Sequence, residues 1–303
     1  MKILLTGATG FLGKNLMPIL SEKYGVSGVG STWDLRNQES CGKLLDKIEP
    51  DVVVHAAGTV GGIGANKENP GKFMYENLIM GTNMIHESMK RSVSKFVLLG
   101  TVCSYPKHTE VPFKEEDIWN GYPEETNAPY GIAKKTLMQM LISYKEQYGF
   151  NGVNLIPVNM YGPHDHFNLT SSHVIPALIL KVHNAVINKQ DEIVIWGTGN
   201  ASREFLFAED CAEVISLALE KDISPSPINI GTGSEIKIID LVKIIADIMN
   251  FQGIIRCDES KPDGQPRRCL DTSKAKKLLG FEAKTDLSTG LQKTIDWFLK
   301  IRG

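Results

Sequence analysis

Short β-rich runs alternate with helical patterns along the first half of the chain, and this alternation restricts the fold more than any other feature. Repeats of this kind are typical of βαβ units, whose parallel sheet is covered by helices on both faces. The predicted strands cover residues 3–6, 26–30, 51–55, 95–99 and 152–158, and the predicted helices cover 11–23, 39–48, 70–89 and 130–148. The sequence therefore predicts a Rossmann-like α/β fold.

The second half of the chain follows a looser pattern. Short strands and loops rich in glycine and asparagine separate three predicted helices, which cover residues 174–188, 239–250 and 286–301. We expect residues 1–160 to form a dinucleotide-binding Rossmann domain, joined by returning segments near 195–235. Residues 161–303 are expected to form mainly a smaller C-terminal α/β domain that binds the substrate.

The charge balance excludes several classes of partner. The 303 residues include 33 basic and 35 acidic side chains, so no broad positive field is available for nucleic acid or an anionic membrane. No apolar run approaches the ~18 residues of a transmembrane helix, and the apolar residues 3–5 lead straight into a glycine turn. We therefore expect a cytoplasmic protein without nucleic-acid or membrane partners.

The chain has five cysteines, an odd number without any CxxC spacing. Neither a disulfide framework nor a zinc site is favoured by this pattern. The run from His164 to His166 lacks further ligands nearby, so we expect no metal ion there. A single cysteine with a chemical role remains open.

A glycine-rich turn with the spacing GxxGxxG joins the first predicted strand to the first predicted helix. Such glycines permit a tight turn and let backbone amides approach a pyrophosphate at a helix N-terminus. Alone, the motif also fits a purely structural turn, but a second run of small residues follows the third strand. The candidate cofactor contacts are Gly7, Ala8, Thr9, Gly10, Phe11, Leu12 and Gly13 in the turn, and Ala56, Ala57 and Gly58 in the second run.

The end of the second predicted strand bears on which dinucleotide is bound. The sequence from Val29 to Trp33 lacks the acidic residue that would bind a free ribose 2′-hydroxyl, and this absence favours NADP(H). No arginine stands there either, since Arg36 lies several residues further on. The sequence thus favours NADP(H) and leaves NAD(H) open.

Tyr130 and Lys134 are four residues apart, which places them on one face of a predicted helix. A nearby ammonium favours the phenolate and makes tyrosine a usable proton donor or acceptor despite its ordinary pKa of ~10. The YxxxK spacing is common on helices, but Thr101 adds a hydroxyl at the carboxyl end of the fourth strand, where such folds bind ligands. Together the three residues are typical of a site that reduces a carbonyl group.

Eight longer stretches of sequence are far more specific than these short motifs. They lie at residues 60–66, 103–107, 126–130, 161–165, 172–177, 196–199, 203–206 and 260–264. On these residues the chain resembles the extended short-chain dehydrogenase/reductases from about residue 2 to 298. Within that family it is similar to the enzymes that epimerise C3 and C5 and reduce C4 of GDP-4-keto-6-deoxy-D-mannose. The resemblance implies that activity, giving GDP-L-fucose, and a homodimer formed through helices near 70–92 and 130–148.

The resemblance implies an acid and base pair for epimerisation at Cys103 and His173. Protons on carbons beside a ketone are acidified, and inverting C3 and C5 requires one group to remove each proton and another to return it from the opposite face. A thiol with an ordinary pKa of ~8.5 and an imidazole with one of ~6.5 both exchange protons near neutral pH. The resemblance also implies cofactor contacts at Leu99, Gly100, Lys134, Pro157, Asn159 and His173.

Substrate contacts follow from the same resemblance. They are expected at Asn159, Lys181, Trp196, Arg203 and Asp263, with Arg268 as a weaker candidate. Two cations and an aromatic face suit the diphosphate and base of a GDP-sugar in a chain without overall positive charge. Lys181 stands where an arginine is common in the family, and Thr101 and Val102 stand where the family often has paired serines.

Three alternatives remain open. A nucleotide-sugar 4-epimerase or 4,6-dehydratase shares the fold, although a dehydratase generally needs a carboxylate pair where Val102 and Cys103 stand. A C4 reductase or epimerase of another GDP-4-keto sugar, such as a 6-deoxy-heptose, would keep nearly all of these residues. A non-catalytic sensor of NADP(H) or a nucleotide-sugar would have little reason to combine Tyr130, Lys134 and Cys103 with His173.

Overall fold

The strands of the protein form three sheets in the computed structural model, which describes residues 1–169, 171–261 and 264–302. The largest is a six-stranded parallel sheet with the order β2-β1-β3-β4-β5-β9. The strands are β1 (Lys2–Thr6), β2 (Gly25–Val29), β3 (Val52–His55), β4 (Lys95–Leu99), β5 (Gly152–Pro157), β6 (Asn159–Tyr161), β7 (Glu192–Trp196), β8 (Ser202–Phe207), β9 (Ile228–Ile230), β10 (Glu235–Lys237) and β11 (Ile254–Asp258).

Helices cover the large sheet, and the predicted α/β fold class is confirmed. The predicted elements of the first half begin and end within about two residues of the observed ones. The helices are α1 (Phe11–Ser21), α2 (Gln38–Ile48), α3 (Ile63–Glu68), α4 (Pro70–Lys90), α5 (Ala128–Tyr148), α6 (Val174–Ile187), α7 (Ala208–Glu220), α8 (Ile238–Ile248), α9 (Ser273–Leu279) and α10 (Leu287–Arg302).

Two groups of helices pack on the large sheet. Helix α4 packs between α2 and α5, whereas α1 packs on α7, which also contacts α9. The approach of α4 to α5 depends on Gly81, because a Cβ at this position would overlap the Leu137 side chain. Both side-chain faces of β4 are buried, as expected for a parallel strand with helices above and below it.

The strand order places a crevice at the carboxyl ends of β1 and β3. From β1 the chain first moves to β2 on one side and then to β3 on the other side, so the loops after β1 and β3 leave the sheet in opposite directions. Ligands of open α/β sheets bind at such a reversal point. The glycine turn and the small-residue run after β3 both open into this crevice.

The second half of the chain builds two small sheets. Strands β10, β8 and β6 form one, and β11 pairs with β7 in the other. Their apolar side chains share a separate hydrophobic cluster with α6, α8 and α10, whereas residues 206–230 and 270–281 contribute to the cluster around the large sheet. We therefore keep the division near residue 160 as a proposal, with these later segments joining the first domain. No helix in the described part of the chain is long and apolar enough to span a bilayer.

The buried His55 makes the stability of this fold depend on pH. Its ring lies buried at the end of β3, where Nδ1 is 2.9 Å from the Thr6 hydroxyl. Burial, together with the nearby Lys134 ammonium, lowers the pKa of the imidazole from 6.5 to about 3. The folded protein therefore keeps His55 neutral at pH values where the unfolded chain binds a proton.

We expect the free energy of unfolding to fall as the pH decreases from 6.5 towards 3, with a His55 contribution of at most ~1.4 kcal/mol per pH unit. Urea denaturation at pH 6.5, 5.5 and 4.5 measures this slope, and His55→Gln should make it shallower. The control variant is His108→Gln, which changes an exposed histidine. Equal slopes for the wild type and His55→Gln would contradict this expectation.

Candidate active site

The glycine turn after β1 is packed too tightly for side chains. Gly7 has φ +73°, and a Cβ there would lie 2.7 Å from the Ala57 amide nitrogen. A Cβ on Gly13 would overlap the Gly7 carbonyl oxygen and lie 2.6 Å from Ala8 Cα. Gly10 caps helix α1 without a side-chain hydrogen bond, so no side chain takes up the first amides of the helix. The turn therefore fits a dinucleotide pyrophosphate, which needs close backbone approach and free amides.

Gly13→Ala should weaken NADPH binding at least tenfold, because the added methyl group displaces the backbone that approaches the pyrophosphate. Fluorescence titration of NADPH measures the dissociation constant. The matched control is Gly71→Ala in α4, where an added Cβ meets no atom within 4 Å. Equal affinities for Gly13→Ala and Gly71→Ala would show that the turn does not contact the cofactor.

Lys134 and Tyr130 lie on the first turns of α5, which packs beside the end of β4. The buried Lys134 ammonium donates a hydrogen bond to the Leu99 carbonyl oxygen at 3.0 Å. A Cβ on Gly58, in the loop after β3, would lie 3.8 Å from Lys134 Nζ. The lysine thus joins the end of β4 to the proposed cofactor crevice.

The Thr101 side chain lies close enough to the Tyr130 phenol to lower its pKa slightly. The Thr101 hydroxyl also accepts a hydrogen bond from the Cys103 amide at 3.2 Å, which begins a short 3₁₀ helix at Val102–Ser104. Burial raises the pKa of Tyr130, and the nearby Cys103 raises it further. Burial lowers the pKa of Lys134 to about 8. At neutral pH the Tyr130 phenol therefore carries its proton, and the Lys134 ammonium is mostly charged.

Cys103 lies beside the buried Arg268 side chain. The spacing of the motifs did not predict this contact. Arg268 Nη1 is 3.7 Å from Cys103 Sγ, and the guanidinium also donates to Gln265 Oε1 at 3.0 and 3.2 Å. Gln265 in turn donates to the Lys107 carbonyl oxygen. Among the described residues, no carboxylate pairs with Arg268 although it is buried. The guanidinium is therefore placed where it can contact a negatively charged group beside Cys103.

His173 is held by a contact between two loops. It is the N-cap residue of α6, and the Gly62 amide donates to the Ser171 carbonyl oxygen at 2.9 Å just before it. A Cβ on Gly62 would overlap the Ser172 carbonyl oxygen, so this contact requires a glycine. The residue is exposed to solvent, and the protein packed around the ring lowers the pKa of the imidazole from 6.5. The ring is therefore mostly neutral at neutral pH.

The remaining predicted contacts are spread over the second half of the chain. Asn159 donates to the Glu204 carbonyl oxygen at 3.1 Å, and Lys181 donates to the Val194 carbonyl oxygen of β7. Arg203 donates to the Ser202 carbonyl oxygen at 2.7 Å. Trp196 ends β7 with 65% of its surface exposed, an open aromatic face that a base can stack on.

Two further predictions concern residues around this region. Asp263 lies outside the described residues. The run from His164 to His166 is not joined by other ligands, because no group of three or more His, Cys, Asp or Glu side chains converges on a metal position in the described ranges. His164 instead packs against Trp297, with ring centroids 4.9 Å apart.

A Rossmann-like sheet with a glycine turn after β1 and a Tyr-Lys pair beside β4 defines a dinucleotide-dependent short-chain dehydrogenase/reductase. The chain belongs to the NAD dependent epimerase/dehydratase family, whose pattern it matches over residues 3–231. The predicted resemblance is thus confirmed at the level of the family.

Individual relatives match nearly the whole chain. A GDP-L-fucose synthase from Sinorhizobium fredii is 42% identical over 266 residues, which cover 88% of this chain and 84% of that protein. The GDP-L-fucose synthase of Escherichia coli is 36% identical over 311 residues, covering 99% and 97%. A GDP-mannoheptose C4 reductase from Campylobacter jejuni, solved with NADP bound, is 30% identical with a TM-score of 0.89 and covers 98% of each chain.

Proposed function

We propose that the protein converts GDP-4-keto-6-deoxy-D-mannose to GDP-L-fucose by epimerising C3 and C5 and then reducing the C4 ketone with NADPH. Relatives named GDP-L-fucose synthase support this substrate, and the NADP-bound heptose reductase supports the cofactor. The observation that carries the proposal is the set of contacts around Cys103: its amide donates to the Thr101 hydroxyl, and the Arg268 guanidinium lies beside its thiol. A reductase without epimerase activity has no use for a thiol at this point.

Epimerisation begins with the C4 carbonyl oxygen of the substrate near Tyr130, Thr101 and Lys134. Their hydroxyl groups and ammonium stabilise the negative charge that develops on this oxygen when a proton leaves C3 or C5. Cys103 and His173 act as the base and acid pair: one takes the proton, and the other returns a proton from the opposite face. The Arg268 guanidinium stabilises the thiolate of Cys103 whenever the thiol has given up its proton.

Reduction uses the same oxygen-binding residues. When bound, the nicotinamide supplies hydride to C4. Tyr130 donates its proton to the C4 oxygen, and the Lys134 ammonium stabilises the phenolate that results. Because burial keeps the pKa of Tyr130 above its ordinary value, the phenol remains protonated until the substrate needs the proton.

The GDP part of the substrate is proposed to lie against the second half of the chain. Arg203 and Lys181 supply positive charge for the diphosphate, Trp196 a stacking surface for the guanine, and Asn159 a polar contact near the sugar. Lys181 must release the Val194 carbonyl oxygen to reach a phosphate. Asp263 remains part of the proposed substrate site.

A second candidate function is reduction of a GDP-4-keto-heptose, which the likeness to the Campylobacter reductase favours. Both substrates place a ketone at C4, so Tyr130 and Lys134 serve either one. Incubation of the purified protein with NADPH and each GDP-4-keto sugar in turn, followed by NMR of the products, distinguishes the two. GDP-L-fucose as product supports the main proposal, and reduction of the heptose substrate alone would replace it. No NADPH consumption with any GDP-4-keto sugar would contradict both.

We also propose a homodimer and a cytoplasmic location. Met74 and Tyr75 on α4 and Tyr148 on α5 are exposed apolar side chains on the two helices expected to pair across a two-fold axis. Sedimentation equilibrium tests this, since a monomer at micromolar concentration would contradict it.

All five cysteines are free thiols, which suits a reducing compartment. Fractionation of the native cells that places the protein outside the cytoplasm would contradict the location.

A further inference from the structure

The loop after β2 lies directly beside the glycine turn. The Ala8 amide donates to the Val29 carbonyl oxygen at 3.0 Å, and a Cβ on Gly30 would lie 2.6 Å from the Thr9 hydroxyl oxygen. In dinucleotide-binding folds the residues that follow the second strand recognise the 2′ position of the adenosine ribose. The side chains of this loop therefore decide how the cofactor's 2′-phosphate is received.

The first cation after β2 is Arg36, and two carboxylates hold it. Its Nε and Nη2 atoms donate to the two Asp34 oxygens at 2.9 and 3.1 Å, a bidentate fork. Its Nη1 atom donates to Glu76 Oε1 at 3.2 Å. All three nitrogens that could bind a phosphate are thus engaged with carboxylates of this chain.

Glu76 connects this cluster to the cofactor crevice. Its second carboxylate oxygen accepts a hydrogen bond from the Thr59 hydroxyl at 2.6 Å, and Thr59 directly follows Gly58 in the run after β3. Only 16% of the Glu76 side chain is exposed, against 49% for Arg36 and 52% for Asp34. Glu76 is therefore fixed in place, whereas the Asp34–Arg36 pair is open to solvent and can exchange partners.

The charges of the cluster disfavour a phosphate and suit a hydroxyl. Two carboxylates and one guanidinium leave a net negative charge on this cluster. A 2′-phosphate would have to displace Asp34 from the arginine and then remain close to both carboxylates, whereas a free 2′-hydroxyl can donate a hydrogen bond to either one. The side chains of Thr9, Ser31 and Thr32 offer only neutral hydroxyls, and the Lys47 ammonium lies 5.7 Å over the Trp33 ring.

We propose that the Asp34–Arg36–Glu76 cluster makes this protein use NADPH and NADH with similar efficiency, with Asp34 as the residue that limits the preference for the 2′-phosphate. The inference rests on the proposed nicotinamide-dependent reduction and adds the residues that set its cofactor choice. A bidentate contact of Nε and Nη2 with the 2′-phosphate requires Arg36 to exchange Asp34 for the ligand. NADH binds while Arg36 stays paired with Asp34.

Binding and turnover test the proposal separately. Titration calorimetry of the purified protein with 2′,5′-ADP and with ADP isolates the 2′-phosphate from the nicotinamide. The wild type should bind the two probes within about tenfold of each other, and kcat/KM for NADPH and NADH should agree within the same range. Asp34→Asn should tighten 2′,5′-ADP about tenfold and leave ADP within twofold, since it frees the arginine and removes one negative charge. Arg36→Gln should weaken 2′,5′-ADP alone.

The matched control is Glu192→Gln, which breaks a similar exposed ion pair, Arg256 with Glu192 at 2.8 Å, on the far small sheet. It should leave both affinities unchanged. The inference would be overturned if Asp34→Asn left the ratio of the affinities for 2′,5′-ADP and ADP unchanged. A wild-type preference for NADPH over NADH above a hundredfold would also overturn it. If the ratios shift as expected but no GDP-4-keto sugar is reduced, the cofactor inference stands and the proposed function fails. If the wild-type protein bound neither NADPH nor NADH, both the cofactor inference and the proposed function would be overturned.

Discussion

Tyr130→Phe is expected to lower kcat for C4 reduction by roughly 10²- to 10⁴-fold, the range that positioned proton donors contribute. The substitution removes only the hydroxyl that is proposed to donate to the C4 oxygen. NADPH should still bind, since the glycine turn is unchanged. Loss of absorbance at 340 nm with GDP-4-keto-6-deoxy-D-mannose measures the rate, and fluorescence titration measures cofactor affinity.

A tyrosine on the same helix provides the control. Tyr144 lies further along α5, and its hydroxyl is 2.9 Å from Nδ1 of His86, on the side where α4 packs. Tyr144→Phe therefore removes a tyrosine hydroxyl from the same helix but away from the proposed site. This variant should reduce the substrate at the wild-type rate. A Tyr130→Phe variant that reduces substrate as fast as Tyr144→Phe would exclude Tyr130 as the proton donor.

Cys103→Ser is expected to slow epimerisation by about 10²- to 10⁴-fold, because a hydroxyl is far harder to deprotonate near neutral pH than a thiol beside a guanidinium. Incorporation of solvent deuterium at C3 and C5, followed by NMR without NADPH, measures this step alone. Cys257→Ser is the control, because Cys257 is also partly exposed but its thiol contacts the Thr198 carbonyl oxygen in the small sheets. Exchange at the wild-type rate in Cys103→Ser would remove the cysteine from the proposed mechanism.

The role of Arg268 has its own readout in the same experiment. Arg268→Gln removes the guanidinium whose Nη1 atom lies 3.7 Å from the Cys103 sulfur. Deuterium incorporation at C3 and C5 should then slow about tenfold, since the charge that forms on the sulfur during proton transfer loses its partner. The affinity for NADPH should stay unchanged, which separates this role from a general loss of structure. Exchange at the wild-type rate would show that Arg268 does not assist Cys103.

Local patterns were sufficient to predict the large sheet. In the first half, turns and helices with a regular apolar period separate the apolar strands. The start and end of each strand can therefore be predicted from residues close to it in the sequence. In the second half, the helices predicted at 174–188, 239–250 and 286–301 also lie within about two residues of α6, α8 and α10, but helix α7 was not predicted. Helix α7 begins at Ala208 directly after β8 ends at Phe207, and α8 begins at Ile238 directly after β10 ends at Lys237. No turn residues separate these strands from the helices that follow them.

The candidate site divides in the same way. Tyr130 and Lys134 could be identified because their spacing on one helix is itself the signal, and the glycine turn because it lies between a strand and a helix. The contact of Arg268 with Cys103 joins residues 165 positions apart, and no periodic pattern encodes it. The pairing of Arg36 with Glu76 likewise depends on how α4 is placed against the loop after β2.

One reaction in deuterium oxide tests the central claim that a single site performs both epimerisation and reduction. The wild-type protein is incubated with GDP-4-keto-6-deoxy-D-mannose and unlabelled NADPH, and the product is examined by NMR. The account predicts GDP-L-fucose that carries deuterium at C3 and C5 and ordinary hydrogen at C4, since the hydrogens at C3 and C5 return as solvent-derived deuterons and the hydrogen at C4 arrives as hydride from the cofactor. A product reduced at C4 that keeps its original hydrogens and configuration at C3 and C5 would contradict it.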